Sequence, residues 1–281
     1  METRYFRGLS PSGVFHRVAY HEWGSADGPV LLCVHGLTRN GRDFDAVAER
    51  FSGRWRVVCV DVAGRGESDW LADPAHYGMP QYTADLTALI ARLGVEKVHW
   101  LGTSMGGLLG MVMAAGRNSP VERLLINDAG PVVKKEALAR IAAYLADRRT
   151  FADMAGAEAY LRQVHAPFGP LTDAQWAHLA AHSFKTGPDG RLHLKYDPGI
   201  ARPFAAAAAA DLVLWPVWDA ISCPVTVLRG AQSDLLAPET AREMANRGPK
   251  ATVHEIPGVG HAPALMADDQ LDLIARWLDG A

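Results

Sequence analysis

Residues Gly102-Thr103-Ser104-Met105-Gly106-Gly107 follow the apolar run Val98-His99-Trp100-Leu101. A Gly-x-Ser-x-Gly pattern between a strand and a helix is a nucleophile elbow. Its turn is sharp enough to hold the serine in a strained backbone conformation and to push the hydroxyl out at the sheet edge. The flanking glycines remove side chains that would collide there. The Ala/Met/Leu-rich stretch Met105–Arg117 reads as the helix. The Met105 amide then sits at a helix N-terminus and can donate to a developing oxyanion. Strand before and helix after separate this segment from a glycine-rich turn that happens to contain serine.

A serine hydroxyl is a poor nucleophile near neutral pH and needs a base, which in turn needs an orienting acid. Of the eleven histidines, His261 alone lies in a Gly-rich loop, Pro257-Gly258-Val259-Gly260-His261, after the last expected strand. His16, His21, His99 and His254 lie in or beside strands, and His165, His178, His182 and His193 in a helical region. Two aspartates follow strands downstream of Ser104: Asp128 in Ile126-Asn127-Asp128-Ala129-Gly130, and Asp234 in Ala231-Gln232-Ser233-Asp234. Chain order and the surrounding motif favour Asp234 as the acid, with Asp128 as the alternative. With Asp234 as the acid, Asp128 would instead hold the cap hinge through local backbone hydrogen bonds. Asp61 precedes the serine, and its segment Val60–Ser68 reads as a turn.

A second oxyanion donor is expected from the loop after an early strand. Val34-His35-Gly36-Leu37-Thr38-Arg39 has the right form: Gly36 permits the bend, the Leu37 amide is the donor, and His35 braces the loop. Arg39 is a candidate partner for a substrate carboxylate. Trp215 is a candidate apolar substrate contact.

These residues must be held by a mostly parallel sheet. Apolar, β-branched runs predict strands at Val14–His21, Val30–Val34, Val57–Val62, Val98–Leu101, Leu124–Asn127, Val225–Arg229 and Val253–Ile256. They alternate with helical stretches at Gln81–Leu93, Met105–Arg117, Pro238–Arg247 and Asp268–Leu278, the rhythm of an α/β fold. The rhythm breaks over 132–215. Helical periods at Lys134–Arg149, Thr150–Val164 and Thr172–Phe184, an alanine run Ala205–Ala210 and no convincing strand predict an inserted helical cap. The expected organisation is a core in two parts, 1–131 and 216–281, with a cap at 132–215. The cap aromatics Tyr144, Phe151, Tyr160, Phe168, Trp176 and Phe184 are read mainly as packing, with an apolar pocket beneath them.

Composition limits the classes of function. The chain has 281 residues, 49% hydrophobic and 21% charged, with net charge −3. This is the balance of a globular protein without a basic surface for nucleic acid. Neither a membrane-spanning run nor a signal-peptide layout is expected, so the expected location is cytoplasmic. Three cysteines form no disulfide framework and are read as core filler.

The blocks His35-Gly36, Asp61 to Ser68, Gly102 to Gly107, Arg229 to Asp234 and Gly258 to Pro263 together resemble the α/β-hydrolase superfamily over nearly the whole chain. The resemblance is greatest to the bacterial branch with serine esterases, 3-oxoadipate enol-lactonases, cofactor-free haloperoxidases and meta-cleavage product hydrolases. It implies an eight-stranded sheet, a helical cap after the sixth strand, a Ser-His-Asp triad of Ser104, His261 and Asp234, and no metal or organic cofactor. Serine at the elbow, rather than aspartate, argues against epoxide hydrolases and haloalkane dehalogenases. The expected reaction is hydrolysis of a small or medium carboxylic ester or lactone through an acyl-enzyme, and oligomeric hydroxyacyl esters fall within that class. The alternatives are carbon–carbon bond hydrolysis and a ligand-binding member with little turnover.

Overall fold

The computed structural model describes residues 1–145 and 148–280. Positions 146 and 147, within the helix expected over Lys134–Arg149, and position 281 lie outside the described residues. An eight-stranded sheet is built from β1 Glu2–Leu9, β2 Phe15–Trp23, β3 Val30–Val34, β4 Arg56–Val60, β5 Val98–Thr103, β6 Val121–Asn127, β7 Val225–Gly230 and β8 Thr252–Ile256. Its order is β1-β2-β4-β3-β5-β6-β7-β8. Only the β1–β2 and β2–β4 pairs are antiparallel, so the sheet is mostly parallel. Strands β3 and β4 are buried at every position, as strands covered on both faces must be. β1 has no such run. It lies at the sheet edge with Glu2, Arg4 and Arg7 along it, so no continuous apolar stretch marks it in the sequence.

Helices cover both faces. α1 Asp45–Phe51 and α10 Asp268–Asp279 pack Val47, Ile274 and Trp277 onto Leu31, Cys33 and Leu101. On the other face, α2 Met79–Leu93, α3 Met105–Ala114 and α9 Pro238–Asn246 pack Leu89, Leu109 and Met244 onto Leu32, Trp100 and Ile126. Gly94, at φ 72°, ends α2 in the left-handed conformation that glycine adopts without strain. All three cysteines are free, and Cys33 and Cys59 are buried in the strands.

The cap is inserted between β6 and β7. Its entry and exit are zipped together, because Val132–Val133 pairs antiparallel with Leu212–Val213. Between them run α4 Lys135–Leu145, α5 Met154–Val164, α6 Asp173–Ser183 and α7 Ala201–Ala207, and α8 Trp215–Asp219 follows the exit. The alanine run is thus helical only in its first part. The expectation of a strand-free cap needs correction: Thr150–Phe151, Phe184–Thr186 and Leu192–Leu194 form a small three-stranded sheet. Strands of two or three residues are too short for alternation to show. The helix expected from Thr150 begins only at Met154, where Asp153 caps it by accepting from the Gly156 amide. The cap has its own core of Tyr160, Leu161, Trp176, Leu179 and Phe184. The Phe151 ring stands 5.1 Å from Tyr160 and 5.4 Å from Phe184. These aromatics fill the cap itself.

Candidate active site

β5 ends at Thr103 and α3 begins at Met105, leaving Ser104 alone in the turn. Its φ of 52° and ψ of −114° lie where side-chain-bearing residues are rarely found. Close packing explains why this turn tolerates no bulk. A Cβ on Gly106 would lie 1.9 Å from the Val34 carbonyl oxygen, and one on Gly102 would lie 2.2 Å from that of Gly106. The Trp100 indole N–H donates to the Gly106 carbonyl at 3.0 Å and further locks the elbow.

His261, from the loop after β8, stands with Nε2 2.9 Å from Ser104 Oγ. Its Nδ1 lies 2.7 Å from Oδ2 of Asp128, not of Asp234. A carboxylate can only accept, so Nδ1 carries the ring proton and Nε2 is free to accept from the serine. Asp128 has no solvent exposure. Its Oδ1 accepts from the Gly230 amide at 2.9 Å, and its Oδ2 also accepts from Ser233 Oγ at 2.6 Å. Such donors offset the cost of burying a charge. Asp128 itself sits at φ 56°, directly after β6. Asn127 joins the two halves of the site, donating through Nδ2 to Thr103 Oγ1 at 3.1 Å and to the Pro263 carbonyl at 2.8 Å.

Asp234 lies elsewhere. It is about half exposed and forms a salt bridge with Arg140 of α4, with Oδ2 2.7 Å from Nε. The turn after β7 determines this. Ser233 points inward, its hydroxyl also accepting from the Leu235 and Leu236 amides, and the next residue points out. The expected pairing of His261 with Asp234 is therefore replaced by His261 with Asp128.

The loop after β3 comes close to the elbow, since a Cβ on Gly36 would lie 3.6 Å from Ser104 Cβ. His35 is fully buried. Its Nε2 accepts from the Val62 amide at 2.9 Å, so Nδ1 bears the proton and donates to the Gly36 carbonyl at 2.7 Å. Burial pushes its pKa down to about 4, which keeps the ring neutral. The Arg39 amide donates to the same carbonyl at 3.1 Å. In a trans peptide the Leu37 N–H must point away from the Gly36 carbonyl, opposite to the His35 side. Leu37, Ser104 and Met105 line one cavity of about 250 Å³. Its other walls are mostly apolar and come from both core and cap, including Tyr82, Leu108, Leu138, Ile141 and Phe204.

Two expected substrate contacts are otherwise engaged. Arg39 is buried. It donates to Asp43 through Nε at 2.8 Å and Nη2 at 2.6 Å, and to Ser183 of the cap through Nη1 at 2.8 Å. It ties cap to core rather than standing free for a substrate carboxylate. Trp215 opens α8 with the Arg247 guanidinium 4.6 Å from its ring centroid, and it is not among the residues lining the cavity.

Two residues escaped the reading of the sequence. Ser233 is one. Arg65 is the other: fully buried, it donates to the carbonyls of Leu37 and Ala63 and to the Tyr82 hydroxyl, each at 2.8 Å. Its guanidinium carbon is 4.9 Å from the Tyr82 ring centroid, and Nη2 reaches Met105 Sδ at 3.8 Å. It thus braces the Leu37 loop and the first residue of α3 together. The available signal was one arginine between Gly64 and Gly66, both at positive φ. Asp61 accepts from the Gly41 amide at 2.7 Å and the Glu67 amide at 2.8 Å, a turn-holding role like the one expected for its segment.

The chain matches the α/β hydrolase family model over residues 31–276 and belongs to that family. It is 50% identical over 282 aligned positions to the 3-hydroxybutyrate-oligomer hydrolase of Cupriavidus necator, covering 97% of this chain and 96% of that protein. It is 27% identical to the 2-(acetamidomethylene)succinate hydrolase of Mesorhizobium japonicum, covering 87% and 86% of the two chains. Among solved structures, an α/β hydrolase from Novosphingobium aromaticivorans superposes with TM-score 0.87 at 39% identity, covering 99% and 98%. A protein of Rickettsia typhi does so with TM-score 0.93 at 30% identity over the whole of both chains. The protein is an esterase-like α/β-hydrolase enzyme acting on small substrates. These relatives narrow the expected branch to its esterases and hydrolases rather than its haloperoxidases. No helix among the described residues is long and apolar enough to cross a membrane.

Proposed function

We propose that the protein hydrolyses the ester bonds of short 3-hydroxyalkanoate oligomers, 3-hydroxybutyrate oligomers foremost, through Ser104, His261 and Asp128. The observation that carries the mechanism is the continuous relay from Ser104 Oγ to His261 at 2.9 Å and from His261 to Asp128 at 2.7 Å, opening onto an apolar cavity. His261 Nε2 takes the hydroxyl proton as Ser104 attacks the ester carbonyl, and the imidazolium is stabilised by the buried carboxylate. The Leu37 and Met105 amides hold the oxyanion, the second aided by the N-terminus of α3. His261 then protonates the departing alcohol oxygen, and a water deprotonated by the same nitrogen releases the acid from the acyl-enzyme.

The substrate class rests on the 50% identity with the Cupriavidus necator oligomer hydrolase along both chains. The cavity agrees with it. At about 250 Å³ it lies below the ~300 Å³ at which drug-sized pockets begin, so it suits a short acyl unit. Its mostly apolar walls suit the methyl-bearing carbon chain of such a unit, with the scissile ester carbonyl met at the elbow. The test is initial rates on 3-hydroxybutyrate dimer and trimer beside p-nitrophenyl esters of increasing acyl length and a lactone, with wild type and Ser104→Ala. Release of 3-hydroxybutyrate that falls at least ten-thousand-fold in the variant is expected. Rapid turnover of simple esters with none of the oligomers would overturn the substrate class. Oligomer turnover unchanged in Ser104→Ala would overturn the mechanism.

A further inference from the structure

Away from the catalytic cavity, folding brings an aspartate of the core to two cap histidines far from it in sequence, where no metal-ligand cluster was expected. His178 and His182 stand four residues apart on α6 and so project from one face of the helix. Their ring centroids are 4.8 Å apart. Asp45, the first residue of α1, meets them from the core, with Oδ2 3.4 Å from His178 Nε2. One ligand-capable atom from each of the three lies within 4.8 Å of the other two.

We infer that Asp45, His178 and His182 form a site for a divalent transition-metal ion that ties α6 of the cap to the core. Tetrahedral zinc holds its nitrogen and oxygen ligands at about 2.0–2.2 Å, which places the ligand atoms roughly 3.3–3.5 Å from one another. The Asp45–His178 pair already stands at that separation. Two imidazoles and one carboxylate, with the fourth position left to water, suit Zn²⁺, Co²⁺ or Ni²⁺. They do not suit Ca²⁺ or Mg²⁺, which prefer shells of oxygen ligands. Two further contacts pre-position the helix: Asn40 Nδ2 donates to the His182 carbonyl at 2.9 Å, and Arg39 donates to Ser183 at 2.8 Å.

The site has a built-in competitor. Arg42 donates through Nε to Asp45 at 2.9 and 3.0 Å, and through Nη2 to the same carboxylate. The cation must displace this guanidinium from Oδ2. Arg42 is 22% exposed and has a way out to solvent. His178 Nε2 also lies 3.1 Å from the Arg42 carbonyl, so coordination requires the neutral ring to carry its proton on Nδ1.

The test uses the full-length protein stripped of metal and titrated with Co²⁺ alone. The wild type should bind one equivalent, with the visible absorption of tetrahedral cobalt, and release it to Zn²⁺. Its thermal midpoint should rise by about 5 °C at a metal concentration about a hundred times Kd. His178→Ala and His182→Ala should each lose more than the roughly 10–100-fold in affinity that changes outside the ligand set cause. Metal-free, both should keep wild-type ester turnover, which shows that they fold. Arg42→Gln retains all three ligands and should bind Co²⁺ more tightly. Failure of the wild type to bind one equivalent, undiminished binding by the two histidine variants, or unchanged or weaker binding by Arg42→Gln would overturn the site.

Discussion

Asp128 follows β6 and Asp234 follows β7, both at the carboxyl edge of one sheet, yet the first is wholly buried and the second is about half exposed. Asp128 accepts from His261, Ser233 and the Gly230 amide, all of them fixed by neighbouring strands and turns. Asp234 meets one long cap side chain, Arg140, in water. A carboxylate can orient a base only where the surrounding backbone excludes solvent and supplies donors, because there its charge is neither screened nor mobile. A solvent-exposed ion pair is worth about 0–1 kcal/mol and serves as a tie. Rank in the chain decided nothing here; the inward or outward facing of one turn did.

The sharpest way to break this comparison is to neutralise the two acids in turn. Asp128→Asn should cost about ten-thousand-fold in turnover, because an amide no longer enforces the His261 tautomer. Equal losses from Asp128→Asn and Asp234→Asn would end the distinction.

The next effect concerns stability at the same buried edge. His35 has its pKa pushed down to about 4 by burial, below the ordinary value of 6.5. The unfolded chain therefore binds this proton more readily. The contribution of neutral His35 is complete above about pH 6.5 and is lost as pH falls toward 4, a total of about 3 kcal/mol. Urea midpoints across that range should fall for the wild type, and should fall less steeply for His35→Gln. Parallel curves would contradict the bracing role.

Ser233→Ala removes one donor to Asp128 and should lower kcat about tenfold with KM little changed, as expected for loss of one hydrogen bond to a charged group. A change in KM alone would point to substrate contact instead. The smallest effect belongs to the exposed tie. Asp234→Asn and Arg140→Ala should each leave kcat within about threefold and stability within ~1 kcal/mol of wild type.

Much of the core was legible. Val30–Val34 is the strand expected to the residue, and β5, β6, β7 and β8 differ from expectation by a few terminal positions. Their apolar runs are a direct consequence of burial on both faces. β1 and α1 were not legible: β1 is a charged edge strand, and α1 spans only seven residues. The cap was legible as an interruption and its aromatics as packing, but its short strands were not.

By itself the sequence determined the elbow, because the strain at Ser104 and the clearance at Gly102 arise from residues adjacent in the chain, although the Val34 carbonyl that crowds Gly106 is brought there by packing of β3. It also marked out His261, alone among the histidines in a glycine-rich loop after the last strand. Only the tertiary structure decided which aspartate pairs with His261, the duties of Arg39 and Arg65, and the meeting of Asp45 with His178 and His182. Each of these depends on where a side chain points after chain segments many residues apart have packed. Direction at that range comes from close packing and backbone hydrogen bonding, which no local pattern of residue types records.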